Sequence, residues 1–219
     1  MNTILLRNWG DKMYLSRVQL DVTKREVMRA LNSPSIIHGA VENCFSGERK
    51  RNLWRIDSLG GKLYVLILSE NAPDLTGFCR QFGVDECGET RSYDKLLDRI
   101  ENGVKLHFRL KANPTVSRKE EAGKRGKVYA HVTPEFQKMW LTEKAEKNGF
   151  SLNDEDFEVV YSKRNRFYKG GDKKVYIVSA EYEGILYVTD KEAFKNMLIS
   201  GIGRGKAYGM GLMTVVFVN

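Results

Sequence analysis

NLWRIDSLGGKLYVLILS, residues 52–69, decides the fold. Two apolar-rich runs, 52–59 and 62–69, flank Gly60-Gly61, and such a pair around two glycines is the signature of a β-hairpin. The pattern is orderly on both sides of it. Upstream, Ser33-Pro34 reads as an N-cap followed by proline at the first helical position. Ile37, Val41, Cys44 and Phe45 then recur at helical spacing. Residues 23–32 also have helical character, and MYLSRVQL, residues 13–20, alternates polar and apolar as a strand does. Downstream, 74–82 predicts a short helix and 90–95 a returning strand. The order is β-α-β-β-α-β, the ferredoxin-like arrangement.

The second half repeats this order. KLHFRLKA, residues 105–112, is a strand; 116–127 is polar and basic and reads as a loop; Thr133-Pro134 opens a helix running to about residue 147, stopped by Asn148-Gly149. Residues 158–168 and 173–182 form a hairpin around Gly170-Gly171, 185–189 is a further strand, 191–200 a helix, and 208–218 a closing strand. The expectation is an α+β chain of two tandem ferredoxin-like, RRM-like domains with antiparallel sheets, 13–102 and 103–219, joined near Asn102-Gly103. Residues 1–12 read as an extension, with Met13 a candidate initiator. No run approaches the roughly 18 apolar residues of a membrane span, and the apolar part of the first twelve residues is too short for a signal peptide. The cytoplasm is the expected compartment. Cys44, Cys79 and Cys87 are odd in number and include no CxxC pair, which predicts free thiols rather than a disulfide framework or a zinc site.

The net charge of +8 is local. Residues 111–127 carry +4 and 163–174 carry +5, so the rest of the chain sums to −1. Two concentrated patches are the pattern of a polyanion binder. One patch holds Lys124 and Arg125. The other mixes Lys163, Arg164, Arg166 and Lys169 with Phe167 and Tyr168, so that cations can meet phosphates while an aromatic stacks or packs. GIGRGKAYGMGL, residues 201–212, is neither a P-loop nor a dinucleotide fingerprint. It has two readings: a loop that brings backbone N–H groups, Arg204 and Lys206 to a phosphate, or a tight helix-to-strand connection needing glycine conformations. His38 falls at the edge of the buried face of its helix, one turn from Glu42, where an imidazole can be offered to a cleft. His107 lies in an apolar strand and His131 near a strand end. The acidic run at residues 154–156 reads as a solvated loop. No metal-ligand spacing occurs, so neither a metal nor a cofactor is expected.

MYLSRV, IIHGAV, RNLWRID, FRLKANP followed by GKR, and GIGRGKAYGMGLM occur in an order that resembles the CasE family, the pre-crRNA endoribonuclease of type I-E CRISPR systems. The likeness runs from Met13 to the C-terminus. It implies two tandem ferredoxin-like (RAMP) domains, cleavage of a CRISPR repeat stem-loop, retention of the mature crRNA, and partnership with other Cascade subunits. The family's catalytic histidine maps onto His38 and its RNA-reading basic hairpin onto residues 163–174. Members carry a tyrosine three residues before the histidine; Ser35 stands there here, leaving the second proton-transfer group unassigned. The implied chemistry is metal-independent attack of a 2′-OH on the adjacent phosphate, leaving a 2′,3′-cyclic phosphate and a 5′-OH. The rival reading is a non-catalytic RNA-binding subunit of the same kind of complex, which would have no need of an imidazole at position 38.

Overall fold

The computed structural model describes residues 12–48, 50–118, 126–169 and 173–218. In the first half, β1 (Tyr14–Leu20) leads to α1 (Arg25–Asn32) and α2 (Pro34–Glu42). The hairpin β2 (Leu53–Leu59) and β3 (Lys62–Ser69) follows, then α3 (Thr76–Phe82), β4 (Gly83–Ser92) and the short α4 (Asp94–Leu97). The sheet order is β2-β3-β1-β4, antiparallel throughout.

The second half opens with β5 (Lys105–Ala112) and a small hairpin, β6 (Thr115–Arg118) and β7 (Lys127–Ala130). Then come α5 (Pro134–Ala145), β8 (Phe150–Ser151), the long β9 (Phe157–Lys169) and β10 (Lys173–Val188), α6 (Lys191–Ser200) and β11 (Met213–Phe217). β11, β5, β10 and β9 lie side by side, with β8 at the end of β10. Both sheets thus follow one plan: the fourth strand beside the first, then the third, then the second. Sequence predicted two ferredoxin-like halves, and this strand order is what such halves require.

Strand alternation sets the packing. Val65 and Ile67 of β3 face α1, α2 and α3, while Leu66 and Leu68 face the second half. A strand covered on both faces must be apolar throughout, which is why β3 reads LYVLIL. On β2, Trp54 and Ile56 face the helices. Leu53 faces the second half, and the period of two places Arg55 and Asp57 on its side. Arg55 is 1% exposed. Its Nη2 donates to Asp57 Oδ2 at 2.6 Å and to Thr214 Oγ1 at 2.7 Å; its Nη1 donates to the carbonyls of Arg109 at 2.7 Å and Leu212 at 2.8 Å. One guanidinium therefore ties β2 to β5 and to the entry of β11.

On the side of β5 where Thr214 meets Arg55, Lys111 pairs with Glu181 at 2.8 Å and Arg109 with Glu183 at 2.7 Å. These are cross-strand neighbours in the β5–β10 register.

Several boundaries differ from expectation. The strand placed at 90–95 is β4, over 83–92, and α4 begins at Asp94. β4 is an edge strand with a polar outer side, so little alternation marks it. Residues 173–182 and 185–189 are one strand, β10. Gly184 lies in the expected gap, and its φ of +153° serves a close approach: a Cβ there would overlap the Asp156 carbonyl and Phe157. The loop at 116–127 contains β6 and the start of β7. The helix opening at Thr133-Pro134 ends at Ala145 and continues as a 3-10 turn, Glu146–Asn148. Ser33 precedes α2 without capping it: its backbone N–H closes α1 on the Ala30 carbonyl, and its hydroxyl meets that of Ser35 at 3.0 Å. Of the expected extension 1–12, residues 1–11 lie outside the described residues. The cysteines are free, with the Cys87 thiol donating to Cys79 at 2.7 Å.

Candidate functional site

α2 is anchored by Ile37 and Val41, both fully buried. One residue round the helix from Ile37 stands His38, half-buried. Its Nδ1 is shielded from solvent. The ring lines a cleft of about 370 Å³ with Glu42, Asn43, Phe45, Lys50, Asn52 and Asn71. Lys50 on the cleft wall pairs with Glu70 at 2.8 Å. Ser35 lies one turn before His38, on the same side of the helix. His107 faces solvent, and His131 stacks on Phe136 with ring centroids 5.9 Å apart.

The glycine-rich run packs beside this helix. Its five glycines from Gly201 to Gly211 all have φ between +73° and +89°. A Cβ on Gly209 would lie 2.7 Å from the Trp54 ring. The Ile202 N–H bonds the Gly211 carbonyl at 2.9 Å, and the Gly211 N–H bonds the Lys111 carbonyl at 2.7 Å. The tight-connection reading is therefore correct for the glycines. The turn they shape, Lys206–Tyr208, packs against α2 and β2. It leaves Arg204 exposed and Lys206 half-buried. Burial, reinforced by the nearby Arg51 charge, holds the Lys206 ammonium below its usual pKa.

The basic hairpin is β9 and β10. Alternation splits its cations between two faces. Arg164, Arg166 and Tyr168 share one face with Lys174 and Tyr176; Arg166 lies 5.8 Å from the Tyr176 ring centre and Lys174 6.0 Å from that of Tyr168. Tyr176 is 70% exposed. Lys163 points the other way, with Asn165 and Phe167, towards the side where Phe167 packs edge-on to Tyr208 at 4.9 Å. Lys163, Arg164 and Arg166 read as one patch in sequence; the strand divides them. Lys124, Arg125 and the Lys169 side chain lie outside the described residues.

Between the halves runs a seam lined by Leu31, Pro34 and Trp54 on one side and Lys111, Asn165 and Tyr208 on the other. Pro34 and His38 are one turn apart on the same face of α2, so the histidine cleft and the seam adjoin. Sequence reasoning missed Lys50, Arg51 and Asn52 around this site, and the bridging role of Arg55. The signal for Arg55 was present: opposite charges two residues apart in an apolar strand share a buried face. Among the described residues, no group of three or more His, Cys, Asp or Glu stands together as metal ligands would. The acidic residues Asp154–Asp156 form an outlying 3-10 turn, tied to Lys138 by a 2.9 Å ion pair with Asp154.

A family model described as CRISPR associated protein matches residues 13–216. The chain is similar to the CRISPR-associated endoribonuclease Cse3 of Thermus thermophilus, with 28% identity over 93% of this chain and 99% of the relative. It is also similar to the CRISPR system Cascade subunit CasE of Escherichia coli, with 27% identity over 53% of this chain and 60% of the relative. Among solved structures, Thermus thermophilus Cse3 bound to an RNA representing a pre-cleavage complex matches with a TM-score of 0.78 and 26% identity, covering 94% of this chain and 99% of that one.

Proposed function

The chain belongs to the CRISPR associated protein family, and from that premise we propose that it is the endoribonuclease that cuts CRISPR repeat stem-loops in precursor crRNA. It keeps the mature crRNA and works with other Cascade subunits in the cytoplasm. Residues 13–102 form the catalytic half and 103–219 the half that grips the stem; 1–12 is an extension. The similarity to a named endoribonuclease along nearly its whole length supports the reading. The single observation that carries it is His38, placed by α2 on the wall of a cleft that adjoins the seam between the halves.

RNA supplies its own nucleophile. The 2′-OH attacks the adjacent phosphorus, the bond to the 5′-oxygen breaks, and the proton lost from the nucleophile is balanced by one gained at the leaving oxygen. The products are a 2′,3′-cyclic phosphate and a 5′-OH. The protein must hold the strand in line, move protons and stabilise charge on phosphoryl oxygens. An imidazole suits the second task, and His38 on the cleft wall supplies it. The exposed Arg164, Arg166 and Tyr168 face of the hairpin suits phosphates and stacking at the end of a stem, because A-form RNA closes its major groove to side chains along a regular helix. Lys163 and Arg204 add contacts nearer the seam, with Lys124, Arg125 and Lys169 extending the basic surface. The reaction requires no metal.

The test is cleavage of a labelled repeat RNA by the purified chain, with and without EDTA. We expect one cut at the base of the stem in both conditions, with a cyclic phosphate on the upstream product. Binding without cutting would support a non-catalytic RNA-binding subunit instead. Cutting abolished by EDTA and restored by Mg²⁺ would refute the metal-free chemistry.

A further inference from the structure

Cys79 stands in α3 and Cys87 in β4, and their sulfurs are in contact at 2.7 Å, with the Cys87 S–H donating. Both side chains are half-buried. Cys44 is different: it is 4% exposed, and its thiol donates to the Ala40 carbonyl at 3.3 Å.

The surrounding backbone makes room for this contact. The register of β1 against β4 shifts between Leu20↔Gly83 and Val18↔Gly88, so residues 84–87 form a bulge on the edge of the sheet. A bulge re-aims side chains, and this one carries Cys87 against α3. Gly83 and Gly88 stand at its two ends. A Cβ on Gly83 would overlap the Cys87 sulfur and lie 3.0 Å from the Cys79 Cα; one on Gly88 would lie 3.2 Å from the Cys79 sulfur. Neither glycine has a positive φ, so what the missing Cβ supplies is space for two sulfurs. Lys24 Nζ donates to the Gly83 carbonyl at 2.6 Å and to that of Arg80 at 3.3 Å. That places an ammonium beside the pair, the setting that favours a thiolate.

We propose that Cys79 and Cys87 are a peroxide-responsive dithiol, resting reduced and closing to an intrachain disulfide that ties α3 to the edge strand β4. In a reducing compartment such a pair rests as two thiols. Cys79 is the attacking sulfur, because it accepts the Cys87 S–H. Burial, with the neighbouring thiol, pushes Cys87 up to about 12, so it keeps its proton until the second step. The Cys79 sulfur takes one peroxide oxygen, the O–O bond breaks, and the other oxygen leaves as water with the Cys79 proton. Cys79 is then a sulfenic acid. The Cys87 sulfur attacks it, the S–O bond breaks, and the hydroxyl leaves as water with the Cys87 proton. The two thiols lose two electrons, and one hydrogen peroxide becomes two waters. Cys44 stays outside this chemistry, since burial pushes its thiol up to about 11.

The test uses the full chain, reduced and then exposed to hydrogen peroxide. Of its three thiols, only Cys44 should remain free, and peptide mapping without reductant should join residue 79 to residue 87 within one chain. Dithiothreitol should restore all three. The oxidised chain should melt about 5–10 °C higher than the reduced one, from the short loop that the bond closes, and Cys79→Ser should show no such gain. In Cys87→Ser, dimedone should trap Cys79 as its sulfenic acid, while Cys79→Ser should leave Cys87 untagged. Survival of all three thiols in wild type, or loss of Cys44 as fast as the pair, would overturn the dithiol; this count needs no variant. Tagging of Cys87 but not of Cys79 in the single variants would overturn the order of attack. An oxidised chain that melts no higher would overturn the tie between α3 and β4.

Discussion

Replacing Arg55 with Met should be among the most damaging single changes in the molecule away from the reaction centre. The methionine keeps an unbranched apolar stem in the same space but removes the guanidinium. Asp57, whose side chain is 7% exposed, then keeps a buried carboxylate with its cation gone. The carbonyls of Arg109 and Leu212 and the hydroxyl of Thr214 lose a donor at the same time. Breaking a buried pair by deleting one member costs about 3–5 kcal/mol, and the orphaned acceptors place this case at the upper end. For a chain of this size roughly 2–4 °C accompany each kcal/mol, so a fall of about 10–20 °C is expected. Replacing both members, Arg55→Met with Asp57→Leu, removes the stranded carboxylate and should recover most of the loss. About 1–3 kcal/mol should remain, because the second half's acceptors are still unmatched. Urea titration followed by circular dichroism and by tryptophan fluorescence measures both variants, Trp54 reporting from the buried seam. A loss below about 1 kcal/mol for Arg55→Met would refute the argument that this guanidinium rivets the halves together.

Other expectations follow the same logic. His38→Ala should slow cleavage by about 10²–10⁴-fold with little change in affinity, and a 2′-deoxy substitution before the scissile phosphate should stop wild-type cutting; gel assays under single-turnover conditions check both. Arg164→Ala with Arg166→Ala should weaken stem-loop binding and flatten its salt slope by roughly one unit per lost phosphate contact, whereas Lys163→Ala, on the other face, should change stem affinity less. A chain beginning at Met13 should fold and cut as the longer one does. The Met13 N–H already donates to Asp94 Oδ1 at 3.0 Å, a bond that a terminal ammonium would strengthen; a lower melting point for the shorter chain would count against this. Lys191 holds the Glu101 carboxyl below its ordinary value of 4.5, so their contact stabilises the fold above that value and fades as pH falls through the lowered one. The melting-point gap between wild type and Glu101→Gln should therefore close in acid, and a gap of constant size as the pH falls would contradict the pairing.

What sequence could show depended on whether the signal was local. The repeated β-α-β-β-α-β order was legible because the apolar run at Val65 to Leu68, set behind Gly60-Gly61, and the helical spacing of Ile37 and Val41 survive whatever surrounds them. β4 was misplaced because an edge strand buries too little to be patterned. The gap expected between residues 182 and 185 was not there, because a glycine that admits a neighbouring strand, as Gly184 does, looks the same in sequence as one that turns the chain. His38 was legible as an edge residue of a helix. The cleft it lines was not, since Lys50, Asn52 and Asn71 reach it from connections whose paths the sequence does not display. The hairpin was legible as basic, but not as two-faced, because its register decides which cations share a side.

The ladder that runs along β5 towards the seam has a bearing on how a polyanion arrives. Arg109 and Lys111 are each matched across the strand by Glu183 and Glu181, so that broad surface projects little field beyond a few ångströms. The long-range attraction is left to the Arg164 and Arg166 face of the hairpin. An RNA diffusing in feels a one-sided pull, and orientation begins before contact: the encounter is aligned by where charge has been cancelled as much as by where it has been kept.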